Sequence, residues 1–254
     1  MRIRYLGGPT AILEIGGVRL LTDPTFDPPG EYPIGERVLT KTQGAAVGPD
    51  EIGPVDAVLL SHDQHPDNLD RAGREYLRTV PAVLSTAPAS ERLGGSVRAL
   101  TRWEQTDVRG EDGAAIRVAG VPALHGPQGS EHLVGEVTGF VLTGPGLPTV
   151  YVSGDNASLD LVRVIVERLG PFDVALLSAG AAQTALLEGA FLTLTSELAA
   201  EAVRILGSPA TVPLHFEGWT HYTQGRDTLR QAFERAGLGR SLRLLERGEW
   251  TSCD

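Results

Sequence analysis

The stretch "PVDAVLLSHD" (54–63) decides the fold because it has a counterpart later in the chain, "PFDVALLSAG" (171–180). Each is a short continuous apolar run, which is typical of a β-strand buried on both faces. Each is also preceded by a hairpin signal, two β-rich runs around Gly or Pro turn residues that end at an aspartate, in 2–24 and in 138–155. The chain therefore carries an internal duplication.

The elements that follow these two runs repeat as well. Residues 70–80 and 195–207 show helical periodicity, and each segment leads to a further short apolar strand, at 81–86 and 210–215. A third helical pattern, at 158–170, precedes the second of the two buried runs. Both halves thus contain a hairpin, a strand, a helix and a strand in the same order.

Two such units packed sheet against sheet, with the helices outside, predict an α/β fold in the form of a four-layer αββα sandwich. We expect one domain over residues 1–254, with similar halves of about 1–130 and 131–254. The alternative is a single doubly wound sheet. The hairpins that open each half disfavour it, because a purely parallel sheet contains none.

Composition limits the classes of function. The chain has 254 residues, a net charge of −10 and one cysteine, Cys253, which argues against a nucleic-acid partner, a disulfide framework and a cysteine-based metal site. No run approaches the about 20 apolar residues that span a membrane. The opening "MRIRYLGG" has the pattern of a strand start and not of a signal peptide, so we predict a cytoplasmic protein without a membrane partner.

Histidines and aspartates cluster where predicted strands end. In α/β folds the carboxyl ends of strands converge on one edge, where ligands bind, and imidazole and carboxylate groups are the usual ligands of divalent metals. The candidate metal ligands are His62, His65, Asp67, His125, Asp155 and His215. For His132 and His221 we favour the ordinary interpretation, a hydrogen-bonded turn residue.

These blocks of sequence resemble the metallo-β-lactamase-fold hydrolases, and more closely their lactonase-like branch, which includes ascorbate-6-phosphate lactonase. The resemblance rests on five blocks in the family order: "YLGGPTAILEIGGVRLLTDP", "LLSHDQHPDNLD", "ALHGP", "YVSGD" and "PLHFEGW". It implies the same duplicated αββα sandwich. It also implies a metal centre in which Asp155 bridges two ions.

The first loop departs from the family pattern H-x-H-x-D-H, because "HDQHPDN" (62–68) is one residue longer. If the extra residue forms a bulge after His62, then His65 is the second ligand, Asp67 the carboxylate ligand, and Asn68 replaces the last histidine. If the bulge falls elsewhere, Gln64 occupies the second position and His65 points away. We prefer the first register, because it keeps two imidazoles for the first metal.

The resemblance implies one or two divalent metal ions, with Zn and Mn as the expected identities. The second site should be weak, because the amide oxygen of Asn68 is a poorer ligand than imidazole for a borderline-soft ion. Asp23, at the end of another predicted strand, is a candidate for orienting a ligand histidine from behind, or else a turn cap.

The function implied is metal-dependent hydrolysis of a small-molecule ester, lactone or related bond by a metal-activated water. Asp67 or Asp155 would orient that water and carry its proton. Trp219, His221 and Tyr222, which follow the last ligand, are candidates for substrate binding, although core packing is the commoner role of a tryptophan. The alternatives are a phosphodiesterase of the same fold and a catalytically degenerate binding protein.

Residues 25–54 lack strong periodicity and are rich in turn residues, and a loop of this length in a compact domain is usually functional. Its Arg37 and Lys41 could hold an anionic substrate, but we favour solvated charges. The sequence specifies neither the substrate nor the metal, and a homo-oligomer is compatible with it.

Overall fold

The computed structural model describes residues 1–253, which form two large sheets, one hairpin and six α-helices. The strands are β1 (Arg2–Gly7), β2 (Thr10–Ile15), β3 (Val18–Thr22), β4 (Gly30–Ile34), β5 (Arg37–Lys41), β6 (Ala57–Leu59), β7 (Val83–Ser85), β8 (Val97–Ala99), β9 (Gln105–Arg109), β10 (Ala115–Pro122), β11 (Thr138–Thr143), β12 (Val150–Val152), β13 (Val174–Ser178), β14 (Ala210–Leu214) and β15 (Trp250–Ser252). The helices are α1 (Arg71–Leu77), α2 (Ala87–Leu93), α3 (Glu131–Val134), α4 (Leu159–Leu169), α5 (Ser196–Ile205) and α6 (Arg226–Arg235), with a 3₁₀ turn at Ala185–Leu187.

The two large sheets repeat one topology. The first has the order β15-β1-β2-β3-β6-β7-β8, in which β1 to β3 are antiparallel neighbours and β3, β6, β7 and β8 run parallel. The second has the order β14-β13-β12-β11-β10-β9, again antiparallel from β9 to β12 and parallel from β12 to β14. Both sheets change from antiparallel to parallel pairing in the same way, which confirms the predicted duplication.

Both faces of the first sheet are apolar. Successive side chains of a strand point to opposite sides of the sheet, so a strand that is apolar throughout contributes to a core on each face. On β2, Ala11 and Leu13 join the core that lies between the sheets, whereas Ile12 joins a second core on the outer face, together with Leu77 of α1. The inter-sheet core continues past the second sheet to residues of α4, α5 and α6, such as Ile165. The predicted αββα sandwich is confirmed.

The chain passes from the first sheet to the second between β8 and β9. This division falls well before the boundary near residue 130 that the sequence repeat suggested, because β10 forms a hairpin with β11 across the register Arg117↔Thr143 to Pro122↔Thr138. The last strand, β15, returns to the first sheet and pairs with β1. The boundary between the two halves of the structure is therefore determined by strand pairing and not by the spacing of the motifs.

The helices begin where side-chain caps satisfy their first backbone N–H groups. Asp70 caps α1 by accepting the N–H of Gly73 at 2.8 Å, and Ser158 and Thr195 cap α4 and α5 in the same manner. The three helices predicted from periodicity are thereby confirmed. No helix in residues 1–253 has the length and apolarity that crossing a membrane requires.

The segment 25–54 is not the irregular loop that its composition suggested. It contains the β4–β5 hairpin, in which Tyr32 pairs with Leu39. The alternation of polar and apolar residues in these strands is short, and Pro33 obscures it in the sequence. The expectation of a solvated Lys41 was wrong: its ammonium is buried and lies 3.0 Å from the carboxylate of Asp70. The hairpin is thereby anchored to the start of α1.

Candidate metal centre

Three histidines from both sheets meet at one edge of the sandwich. His62 and His65 follow β6, and His125 follows β10. His62 Nε2 lies 2.9 Å from His65 Nδ1, which lies 3.2 Å from His125 Nε2. All three side chains are buried, and the three nitrogens lie within 4.8 Å of one another, as the ligands of one metal ion would.

Hydrogen bonds behind two of these rings fix their tautomers. Ser61 Oγ donates to Asp23 Oδ2 at 2.8 Å and can therefore accept the Nδ1–H of His62 at 2.9 Å. His125 Nδ1 lies 3.0 Å from the carbonyl oxygen of Leu192, which can only accept a hydrogen bond. Both Nε2 atoms thus carry lone pairs, and both lone pairs face the third histidine.

Burial keeps the three imidazoles neutral. It lowers the pKa of His65 and of His125 to about 4, and it holds the pKa of His62 well below its ordinary value. The neutral ring is the form that binds a metal. The group is therefore ready to act as a set of ligands at neutral pH.

The structure brings His65 into this group and leaves Gln64 out of it. The Gln64 amide lies against Gly135, where a side chain would come within 2.2 Å of Gln64 Nε2. This arrangement agrees with the register in which the extra loop residue follows His62.

A second group of donors surrounds Asp67. Its Oδ2 lies 3.1 Å from His215 Nε2, 2.9 Å from His221 Nε2 and 3.3 Å from the hydroxyl of Tyr222. His215 Nε2 is also 3.2 Å from Asp155 Oδ2. These spacings match those between neighbouring ligands of an ion bound at about 2.0–2.1 Å, which lie about 3 Å apart.

Asp155 supplies the test of whether the two groups suit a cation. Its side chain is fully buried, yet neither carboxylate oxygen has a hydrogen-bond partner within residues 1–253. A buried carboxylate that accepts no hydrogen bond is costly, and coordination to a metal removes that cost. The imidazole and carboxylate donors therefore fit a divalent metal ion.

Charges around Asp67 hold it ionised. Burial raises the pKa of Asp67, but the nearby His221 and His215 outweigh burial and hold that pKa well below its ordinary value. Burial likewise lowers the pKa of His215, and the carboxylates of Asp155 and Asp67 outweigh it, so that the pKa is raised. The second group is an imidazole–carboxylate network.

Two ends of strands at this edge hold unusual backbone conformations. His215 has φ +56° and Asp23 has φ +28°, values that side-chain-bearing residues seldom adopt. The carbonyl oxygen of His215 packs where a Gly180 side chain would begin, 2.1 Å from the ideal Cβ position. Strain of this kind clusters at functional sites, where surrounding contacts enforce it.

Asp23 and Asn68 lie behind the donors. Asn68 Nδ2 is 3.2 Å from Asp23 Oδ2 and 3.4 Å from Ser61 Oγ, so the amide nitrogen faces the layer behind His62. Burial raises the pKa of Asp23 to about 7. Asp23 contacts His62 through Ser61, which is the arrangement that the predicted orienting role requires.

His221 lies in a turn, as the ordinary interpretation has it, but this turn places its Nε2 2.9 Å from Asp67 Oδ2, at the candidate site. Main-chain bonds hold its segment against both the hairpin and the preceding loop: the N–H of Thr220 donates to the carbonyl of Thr40 at 3.0 Å, and that of Gln183 donates to the carbonyl of His221 at 3.2 Å. These contacts aim His221 at Asp67, and no periodic pattern in the sequence signals them.

Trp219 and His132 have ordinary structural roles. Trp219 is buried, with its ring 5.5 Å from that of Tyr32, and so belongs to the packing beneath the site. His132 is exposed in α3, and its Nδ1 lies 2.9 Å from the carbonyl oxygen of Gly129. The interpretation of His132 as a local hydrogen-bonding residue is confirmed.

A small inner cavity of about 20 Å³ lies at the donors, and a cavity of about 670 Å³ lies outside it. Ile34, Arg37 and His65 line both, so the β4–β5 hairpin forms the boundary between them. The Arg37 guanidinium donates to Thr184 Oγ1 at 2.5 Å. A small molecule in the outer cavity would reach the donors past this contact.

The four-layer fold and the imidazole–carboxylate edge define a protein of the β-lactamase superfamily. The family model described as the β-lactamase superfamily domain matches residues 18–216, and the chain belongs to that superfamily.

Among curated relatives, the chain is similar to metal-dependent hydrolases of archaea. It is 30% identical to the one from Methanosphaerula palustris over 187 residues, which cover 71% of this chain and 77% of the relative, and 26% identical to the one from Thermococcus onnurineus over 223 residues, 86% of each. Within the superfamily, the chain is a member of this family of metal-dependent hydrolases.

Two solved structures share the fold. One is a possible metal-dependent hydrolase from Veillonella parvula, with a TM-score of 0.84 at 18% identity over 99% of this chain and 98% of the other. The other is an isothiocyanate hydrolase from Delia radicum gut bacteria, with a TM-score of 0.81 at 20% identity over 100% of this chain and 99% of the other.

Proposed function

We propose that this protein hydrolyses a small-molecule ester, lactone or related bond with a metal-activated water, as the resemblance to lactonase-like hydrolases implies. The observation that supports this most strongly is the meeting of three neutral imidazoles with two buried carboxylates. That donor set suits Zn²⁺ or Mn²⁺.

In this proposal His62, His65 and His125 would hold one ion, Asp67 and His215 would contribute to a second, and Asp155 would be a further ligand of the centre. When bound, a divalent ion lowers the pKa of water from about 15.7 towards about 7 and polarises the bond under attack. The remaining steps belong to the protein's own side chains.

Asp155 and Asp67 divide the proton chemistry between them. Asp155 has unpartnered oxygens within residues 1–253 and is placed to accept a proton from the attacking water and pass it to the leaving group. Asp67 has three polar neighbours within 3.3 Å of one oxygen and a strongly lowered pKa, so it serves to orient the water and not to accept its proton. Tyr222, whose pKa burial raises well above the ordinary value, stays protonated and donates to Asp67.

The outer cavity suggests the size and polarity of the substrate. Its volume of about 670 Å³ lies within the range of small-molecule sites. Arg37 lines it, and within residues 1–253 its guanidinium pairs with no carboxylate, so it can bind a polar or anionic group of the substrate. His221 faces the inner cavity, whereas Trp219 supports the site from below.

The wider setting remains a prediction. The charge of −10 favours a small-molecule substrate over nucleic acid, and we retain the predictions of a cytoplasmic protein without a membrane partner and of compatibility with a homo-oligomer.

A substrate panel tests the proposal. Protein loaded with Zn²⁺ or Mn²⁺ is assayed against a lactone, a carboxylic ester, a thioester, an isothiocyanate and a phosphodiester, with His125→Ala as the control. Metal-dependent turnover of a carbonyl substrate that His125→Ala abolishes would support the proposal. Turnover of the phosphodiester alone would favour the phosphodiesterase, and metal binding without any turnover would favour a degenerate binding protein.

A further inference from the structure

The second group of donors has an unexplained composition. The residue that would end the family's loop motif with a histidine is Asn68, and its amide nitrogen is engaged with Asp23 and Ser61 instead. Asp67, Asp155 and His215 would then supply carboxylates and a single imidazole to the second site. A site of this composition needs another nitrogen donor to bind a borderline-soft ion well.

We propose that His221 is a ligand of the second metal ion and takes the place of the histidine that Asn68 has replaced. This inference rests on the proposed metal centre, but it concerns a residue outside the family motif. It also reverses the expectation that the second site is weak.

The geometry around Asp67 supports this role. His221 Nε2 lies 2.9 Å from Asp67 Oδ2, close to the 3.1 Å that separates His215 Nε2 from the same oxygen. Each of the two imidazole nitrogens therefore lies at the distance from this carboxylate oxygen that neighbouring ligands of one ion adopt. His221 also lines the inner cavity together with Asp67 and His215.

The protein holds His221 in place before any ligand binds. The N–H of Thr42 donates to the carbonyl of Gly218 at 2.8 Å, which adds to the main-chain bonds from Thr220 and Gln183 on either side of the histidine. The His221 ring is 6.1 Å from Trp219 and 4.6 Å from Tyr222, edge to face with both. A fixed ring loses little freedom on binding an ion, which favours affinity.

Another role for His221 is to donate a hydrogen bond to Asp67 and nothing more. Tyr222 provides the matched comparison, because its hydroxyl reaches the same Asp67 oxygen at 3.3 Å and also lies at the site. If only hydrogen bonding matters, loss of either side chain should have a similar effect on metal binding. If His221 is a ligand, the effects should differ strongly.

The experiment measures metal stoichiometry and affinity. Chelator-treated wild type, His221→Gln, Tyr222→Phe and the exposed control His132→Gln are titrated with Zn²⁺ by calorimetry, and bound metal is counted by mass spectrometry. We expect two ions per chain in wild type, Tyr222→Phe and His132→Gln. In His221→Gln the first ion should bind with unchanged affinity, and the second should bind more than about 100-fold more weakly, beyond the about 10–100-fold that loss of an outer partner costs.

A rescue variant sharpens the result. His221→Glu replaces one metal-ligating group by another and should recover much of the second-ion affinity, which a mere hydrogen-bond donor could not explain, since a carboxylate does not donate to Asp67.

The proposal is overturned if His221→Gln binds the second ion as tightly as wild type does, or if wild type binds one ion only. Both outcomes leave hydrolysis at the three-histidine site intact. Absence of any bound metal in wild type would instead remove the proposed function together with this inference.

Discussion

His65→Ala, with Gln64→Ala as its matched control, separates the two registers of the loop that follows β6. His65 Nδ1 lies between two nitrogens, 2.9 Å from His62 Nε2 and 3.2 Å from His125 Nε2, so its removal leaves two of three imidazoles for the first ion. Loss of a direct ligand should weaken that ion at least about 100-fold, or about 2.7 kcal/mol, because loss of an outer partner alone costs about 10–100-fold.

The assay is the rise in melting temperature on adding metal to chelator-treated protein. At a metal concentration of about 100 times the wild-type Kd, binding stabilises the wild type by about 2.7 kcal/mol, and a 100-fold weaker variant by only about 0.4 kcal/mol. A chain of this size gains about 2–4 °C per kcal/mol, so we expect rises of about 5–11 °C and about 1–2 °C, respectively.

Comparing the rise on adding metal, and not the melting temperature itself, removes the effect of lost packing in each variant. Gln64→Ala should keep the full wild-type rise, because the Gln64 side chain lies against Gly135 and outside the histidine group. A full rise in His65→Ala with a lost rise in Gln64→Ala would refute the assignment of His65 and restore the other register.

Three further changes probe the centre and its support. His125→Ala and Asp155→Ala should each lose most bound metal and nearly all hydrolysis with an unchanged circular dichroism spectrum; unchanged metal content in both would eliminate the candidate centre. Asn68→Ala should lower the free energy of unfolding in urea by about 1–3 kcal/mol, because its buried hydrogen bonds are lost, and should still bind two ions; loss of the second ion would make Asn68 a ligand. Lys41→Met should lower the free energy of unfolding by up to about 3–5 kcal/mol, because it leaves the buried Asp70 carboxylate without its cation. Adding Asp70→Asn should recover part of this loss, and no recovery would mean that the pair does not anchor the hairpin.

Much of the fold was predictable because it depends on local pattern. The two buried runs 54–63 and 171–180 contain β6 and β13, and the helices follow the periodic segments closely. The division between the sheets was not predictable from the repeat, since β10 lies in the first half of the sequence but pairs with β11. Pairing depends on partners that the sequence does not display.

The residues of the candidate site were likewise predictable only in part. His62, His125, Asp155 and His215 were predictable because each follows a strand that the sequence marks clearly. The choice between Gln64 and His65 depends on the path of one turn, and the sequence is equally compatible with both registers.

The contact between His221 and Asp67 was not predictable, for a different reason. His221 follows no strand, and it is positioned by bonds to the β4–β5 hairpin, which was itself hidden in an apparently irregular segment. A residue placed by an unrecognised element has no local pattern of its own, and only its position six residues after His215 in "HFEGWTH" offered a signal.

The candidate donors are divided between the two sheets, and this has a consequence for biosynthesis. His62, His65 and Asp67 follow β6 of one sheet, whereas His125, Asp155 and His215 follow strands of the other. In the proposed centre, a nascent chain on the ribosome would lack the three imidazoles of the first site until residue 125 has emerged, and it would lack the ligands of the second site until residue 221 has emerged. Metal binding would therefore come late in maturation, and a bound ion would link two sheets that are synthesised one after the other.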